Sequence, residues 1–253
     1  RAERYIADRI TVIQDFSSPE DNENFQKMID QQEVETGIHY ETLQRQAIVS
    51  ALSRGILILT GGPGTGKTTT LNAMIALNEK QGYRVMLAAP TGRAAQRISD
   101  LTGYEAKTIH RLLEVEFDMT GGTRFLHNAA NPLQCDVMVV DEMSMVDVLL
   151  FESLLRALRL GCKLIMVGDS DQLPSVGAGN LLKDLIDSGA VPTIELKQIF
   201  RQAQRSLIVM NAHAVNQGEL PVLTATDRDF FFLRRRDPAA AVKTIQELCQ
   251  TRL

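Results

Sequence analysis

The sequence predicts an α/β fold, a parallel sheet flanked by helices around a mononucleotide-binding core, and three observations carry that prediction. Short apolar runs alternate with helical patterns from residue 56 to residue 196. A glycine-rich turn with an embedded lysine directly follows the first run. Two later runs end in acidic residues. Continuous apolar runs of four or five suit strands covered on both faces, and the helical stretches between them suit the crossovers of a parallel sheet.

The elements follow in order. Tyr5, Ile6, Ile10 and Ile13 recur at helical spacing, and Ser18-Pro19 has the form of an N-cap followed by proline at the first helical position. Leu43, Ala47, Ile48, Ala51 and Leu52 make the apolar stripe of a helix from Glu41 that Arg54-Gly55 closes. Strands are expected at Ile56 to Leu59, Val85 to Ala89, Val137 to Val140, Leu164 to Val167 and Val191 to Leu196. Between Leu113 and Asp136, Gly121-Gly122-Thr123 lies between Val115-Glu116-Phe117 and Arg124-Phe125-Leu126, the pattern of a small β-hairpin insertion. Phe230 to Leu233 is expected as a last strand, with a helix beginning at Asp237-Pro238.

Composition narrows the function. The chain has 253 residues, 44% of them hydrophobic, which fits neither a disordered chain nor a disulfide scaffold. No apolar run exceeds five residues, against about 20 for a membrane span. Three cysteines at wide spacing, Cys135, Cys162 and Cys249, fit reduced thiols of a cytoplasmic protein better than a bridge framework or a metal site. The net charge of −4 is uneven: residues 1–40 hold 4 basic and 9 acidic side chains, leaving 23 and 22 for the rest. The body is thus balanced and can carry a local basic groove. Opening on Arg1 without a signal-peptide pattern, the chain reads as an internal fragment.

The chemistry concentrates after the first strand. Gly61-Gly62-Pro63-Gly64-Thr65-Gly66-Lys67-Thr68-Thr69 satisfies the G-x-x-x-x-G-K-[ST] pattern in its strand-to-helix setting. Glycines let successive N–H groups curl toward a phosphate, and the helix N-terminus adds partial positive charge. Lys67 would contact the β and γ phosphates of ATP, and the Thr68 hydroxyl would hold Mg²⁺. Asp141 and Glu142 close the third apolar run: the first would join the Mg²⁺ shell, the second would orient or deprotonate water. Gly168-Asp169-Ser170-Asp171-Gln172-Leu173-Pro174 closes the next, where the Gln172 amide can sense the γ phosphate.

Together these segments resemble the RecD-like branch of superfamily 1 DNA helicases, which moves 5′ to 3′ on single-stranded DNA. The resemblance rests on Leu43-Gln44, residues 61–69, Ala89 to Ala95, Thr108 to Leu112, Val137 to Val146, Gly168 to Asn180 and Gln198 to Gln202, in the family's order. It implies a RecA-like P-loop NTPase lobe in which Gln44 reads adenine and Arg201 stabilises charge on the transferred phosphoryl group. It also implies DNA contacts from Thr91, Arg93, Thr108, His110 and Ser175. Thr91 read without it is a helix cap, His110 a core histidine and Ser175 a turn residue. Residues 114–131 would be the wedge that splits a duplex at a single-strand/double-strand junction.

Such helicases hydrolyse ATP between two lobes, and nothing after Arg201 resembles the second. The chain therefore reads as an acidic helical lead-in from an upstream domain (1–40), the motor lobe (41–225) and a strand and helix leading to the missing lobe (226–253). Other recombination-nuclease subunits are possible partners in the resemblance, and a membrane is not. A non-catalytic nucleotide switch and a P-loop kinase are the competing readings; the first has less need of Glu142, Gln172 and Arg201, and the second leaves the Gln172 segment unexplained.

Overall fold

The computed structural model describes residues 1–16, 22–117, 123–225 and 228–252. The chain divides into two compact units, Arg1–Ile199 and Phe200–Leu253.

The first unit begins with three helices, α1 (Ala2–Gln14), α2 (Asn22–Thr36) and α3 (Thr42–Ser53). After β1 (Ile56–Gly61) come α4 (Lys67–Lys80), β2 (Val85–Ala89), α5 (Gly92–Thr102), β3 (Ala106–Thr108) and α6 (Ile109–Leu113). Next are β4 (Val115–Phe117), β5 (Thr123–Phe125), β6 (Val137–Val140), a 3₁₀ turn (Met143–Met145) and α7 (Val148–Ala157). The unit closes with β7 (Lys163–Gly168), α8 (Leu181–Asp187) and β8 (Thr193–Leu196). Six strands form one sheet in the order β3-β2-β6-β7-β1-β8, and every pairing in it is parallel.

Strand periodicity sorts the core into two layers. Ile56, Ile58, Ala88, Met138, Val140, Leu164 and Met166 face α1, α6, α7 and α8. Leu57, Leu59, Leu87, Val137, Val139, Ile165 and Val167 face α2, α3, α4 and α5. Both faces are covered, which is why the strands read as unbroken apolar runs. Phe151 of α7 is fully buried in the first layer. Replacing it with alanine should cost about 3–5 kcal/mol, readable as a lower urea midpoint with an unchanged m-value.

The five expected strands all form in the sheet. The sixth, β3, was not legible because Ala106-Lys107-Thr108 has no apolar run; its pairing with β2 through Leu87, Ala88 and Ala89 makes it a strand. The insertion is an antiparallel pair, with Val115 opposite Phe125 and Glu116 opposite Arg124, while its Gly121-Gly122 turn lies outside the described residues. Ser18-Pro19 lies outside them as well. The acidic lead-in is built into the fold: Ile6, Ile10 and Ile13 of α1 are buried in the first layer, Arg9 donates to the Leu158 carbonyl at 2.6 Å, and the Arg156 guanidinium stacks 3.8 Å from the Tyr5 ring centroid.

In the second unit, α9 (Arg201–Gln204), α10 (Leu207–Asn216) and α11 (Pro238–Arg252) are the regular elements among the described residues. Asp229 caps α10, accepting from the Ser206 hydroxyl at 2.5 Å and the Leu207 N–H at 2.7 Å. Phe230 to Leu233, expected as a strand, is irregular. A strand needs a hydrogen-bonding neighbour, and among the described residues of this unit none pairs with it; Phe231 and Phe232 are half exposed.

One buried charge gives the fold a pH signature. Lys163, at the start of β7, is buried, donates to the Leu52 carbonyl at 2.6 Å and lies 4.6 Å from the Tyr83 ring centroid. Burial pushes its ammonium down to about 8. The unfolded chain, with Lys near about 10.4, binds more protons than the folded one between those values, so stability rises as pH climbs through that window. Urea melts from pH 7 to 10 should show this rise, and Lys163→Met should flatten it.

Candidate nucleotide site

The carboxyl ends of β1, β6 and β7, three consecutive neighbours in the order β6-β7-β1, gather the polar groups. At the end of β1 the chain turns through residues 62–66 into α4, and Gly66 caps that helix at φ 85°, ψ 20°. That left-handed conformation favours glycine, so the loop can present backbone N–H groups at the helix start where a side chain would be strained. The Thr65 hydroxyl donates to the Gly62 carbonyl at 2.9 Å. Lys67 folds back over its own loop, donating to the carbonyls of Gly61 and, at 2.9 Å, Gly62.

Burial pushes the Lys67 ammonium below its ordinary value, opposed by the negative charges of Asp169, Asp141 and Glu142, in that order. Burial likewise pushes the Asp141 carboxyl up; the Glu142 backbone N–H opposes that shift and the Glu142 charge adds to it. Asp141 follows β6 and its N–H donates to the Ala88 carbonyl at 2.9 Å, which fixes it beside β2. Asp169 follows β7, is buried, and accepts from the Asp171 N–H at 3.1 Å.

Glu142 has φ 53° and ψ 44°, a conformation uncommon for a side-chain-bearing residue. Its carboxylate takes Arg97 of α5 at 3.3 Å. Gln172 is exposed, and its side-chain carbonyl accepts from the Ser144 hydroxyl at 3.3 Å, tying the turn after β7 to the turn after β6. Gln44 is buried, only 2% exposed, and its amide is fully engaged. Its carbonyl accepts from the Glu41 N–H at 3.0 Å, and its NH₂ donates to the Thr70 hydroxyl at 3.0 Å and the Gly66 carbonyl at 3.4 Å. Gln44 thereby fastens α3 to the phosphate loop, and donating to adenine requires its NH₂ to exchange one of its two partners.

Lys67, Asp141 and Glu142 are thus within one another's field, with Gly62, Pro63, Gly64, Thr65, Gly66, Thr68 and Thr69 on the same loop and helix start. The other expected residues have local roles. Thr91 caps α5, accepting from the Ala94 N–H at 3.2 Å, and Thr108 caps α6, accepting from the Arg111 N–H at 3.1 Å. Arg93 is exposed in the first turn of α5. His110 is exposed and tilts against Phe125 of the hairpin, with centroids 6.0 Å apart, so it is not a core histidine. The Ser175 hydroxyl donates to the carbonyls of Gly177 and Gly179 at 3.3 and 3.4 Å, the turn role. Arg201 opens α9 in the second unit.

Three residues were missed as members of the site. Asp169 was visible as an acid closing a strand, and Arg97 as a second arginine one helical turn from Arg93. Thr70, which joins Gln44 to Gly66, is fully buried, and its sequence carried no signal beyond the pattern's extra threonine.

The AAA domain family profile matches residues 44–178, just over half of the chain. The ATP-dependent RecD2 DNA helicase of Deinococcus radiodurans is 46% identical over 166 residues, which cover 66% of this chain and 22% of that protein. The RecBCD enzyme subunit RecD of Mycolicibacterium smegmatis is 44% identical over 182 residues, covering 62% of this chain and 32% of that one. The chain therefore spans a third or less of these two relatives. Among solved structures, the Pif1 helicase from Candida albicans superposes with a TM-score of 0.55 at 25% identity, over 75% of this chain and 50% of that one. The matched segment takes in the phosphate loop, both acids and the Gln172 turn, and the chain belongs to the AAA domain family, in the RecD-like branch that its motifs resemble.

Proposed function

We propose that this chain is the first motor lobe of an ATP-dependent 5′→3′ DNA helicase, binding Mg·ATP and coupling its hydrolysis to translocation on single-stranded DNA and duplex unwinding. The observation that carries the reading is the arrangement around Lys67: an ammonium on a glycine-rich helix start, facing acids from two neighbouring strand ends. Lys67 neutralises β and γ phosphate charge, leaving the carbonyls it now covers. Glu142 orients or deprotonates the attacking water, Gln172 senses the γ phosphate, and Arg201 stabilises the transferred group once the complete protein closes around it.

The donor set fits Mg²⁺. Asp141 is a half-buried carboxyl whose desolvation disfavours its charged form, a penalty that a divalent cation reverses, and the Thr68 hydroxyl belongs to the first turn of α4. Among the described residues no cluster of three His, Cys, Asp or Glu could hold a metal by itself. That suits Mg²⁺, which takes most of its ligands from phosphate and water. When bound, the ion would supply charge neutralisation at the β and γ phosphates.

Thr91, Arg93, Thr108, His110 and Ser175 would follow the phosphates of the strand, Gln44 would read adenine, and residues 114–131 would part the duplex at a junction. No described helix is long and apolar enough to cross a membrane. Cytoplasmic DNA is the substrate in this reading, with recombination-nuclease subunits as possible partners. The relatives named RecD and RecD2 support it, as does the Pif1 likeness in fold. The test is unwinding by the complete protein of duplexes bearing a 5′ or a 3′ single-stranded tail. Preference for the 5′ tail, dependent on ATP, is expected; unwinding from the 3′ tail, or independent of ATP, contradicts the reading.

A further inference from the structure

Arg97 stands out on the surface around the nucleotide site. It projects from α5 with 69% of its side chain exposed, yet its guanidinium is on Glu142 at 3.3 Å, the acid assigned to water activation. Its charge also reaches Lys67 and Asp141. One turn earlier on the same helix face is Arg93, also exposed. Two cations thus form one face at the carboxyl end of β2, and one of them is held by the catalytic carboxylate. An ion pair whose arginine is this exposed is weak in water, and a phosphate reaching that face would compete for the guanidinium.

We infer that Arg97 is a positioning residue with two alternative partners, holding the Glu142 carboxylate when no strand is bound and moving to a strand phosphate beside Arg93 when one is. Strand binding then releases Glu142 to work on the attacking water, which gives strand-stimulated hydrolysis a physical route between two places in the fold. Glu142 is suited to such exchange: its backbone is left-handed at the turn after β6, and its carboxylate takes one guanidinium nitrogen of Arg97. The inference rests on the nucleic-acid reading above and adds the residue that links strand to hydrolysis.

Strand binding tests it without needing turnover. Affinity of the complete protein for an oligo-dT single strand is measured by fluorescence anisotropy at several low salt concentrations for wild type, Glu142→Gln, Arg97→Ala, Arg97→Lys and the Arg97→Ala, Glu142→Gln double variant. Removing the competing carboxylate should tighten binding roughly two- to fivefold, the worth of one exposed ion pair. It should also steepen the salt dependence by about 0.7 in log K against log salt, the mark of one more phosphate contact on a single strand. Arg97→Ala should weaken binding, Arg97→Lys should restore most of it, and the double variant should bind like Arg97→Ala alone. Equal tightening by Glu142→Gln with or without Arg97 would mean a general charge effect and overturn the inference while leaving the helicase reading intact. No tightening at all would overturn it in the same way. If wild type and Glu142→Gln both bind Mg·ATP but neither binds oligo-dT at low salt, the nucleic-acid reading itself falls, and the inference with it.

Discussion

Lys67→Ala should reduce ATP turnover by about 10² to 10³, the scale for losing one preorganised charge from a transition state, with nucleotide binding falling in parallel. The same change should leave the melting temperature of the ligand-free protein unchanged or slightly higher. Burial disfavours the charged form of this ammonium more than Asp169, Asp141 and Glu142 favour it, so the folded chain bears a cost that alanine removes. Nucleotide titration calorimetry and thermal melting read the two halves separately. Turnover within about threefold of wild type would take Lys67 out of the phosphate site, and a collapse in melting temperature would make its role structural.

Glu142→Gln should separate binding from chemistry. Glutamine keeps the size and hydrogen-bonding reach of the side chain but cannot accept a proton from water, so turnover should fall by about 10² to 10⁴ while the affinity for Mg·ATP changes little. Rapid-quench measurement of the first turnover, beside equilibrium binding, checks this directly. Retained turnover would shift water activation to Asp141 or Asp169, the other acids near Lys67. Asp141 is the poorer alternative, because it is the acid proposed to ligate Mg²⁺ and desolvation already disfavours its carboxylate.

The sheet was legible where burial on both faces left apolar runs, as at Ile56 to Leu59 and Val137 to Val140. It was not legible at β3, whose Ala-Lys-Thr sequence becomes a strand only through pairing with β2. The phosphate loop and the acids after β6 were legible because their chemistry depends on local spacing. The contact of Arg97 with Glu142, the place of Asp169 beside Lys67 and the engagement of Gln44 with Thr70 were not, because each depends on which elements the crossovers bring together. Arg97 meets Glu142 across 45 positions of sequence, and Gln44 meets Thr70 across 26. Phe230 to Leu233 failed in the opposite sense: an apolar run signals a strand only where a neighbour completes it.

If the site around Lys67 drives a motor on nucleic acid, hydrolysis there answers to the strand as well as to ATP. The measurement that tests it most directly is ATP turnover by this chain and by the complete protein, each with and without single-stranded DNA, with Lys67→Ala as the control. Strong stimulation of the complete protein by the strand, lost in Lys67→Ala, is expected, together with a chain that binds nucleotide but turns it over slowly, as the first lobe of a two-lobed site would. A complete protein that binds ATP through Lys67 yet ignores DNA would contradict that expectation and leave a nucleotide switch in the motor's place.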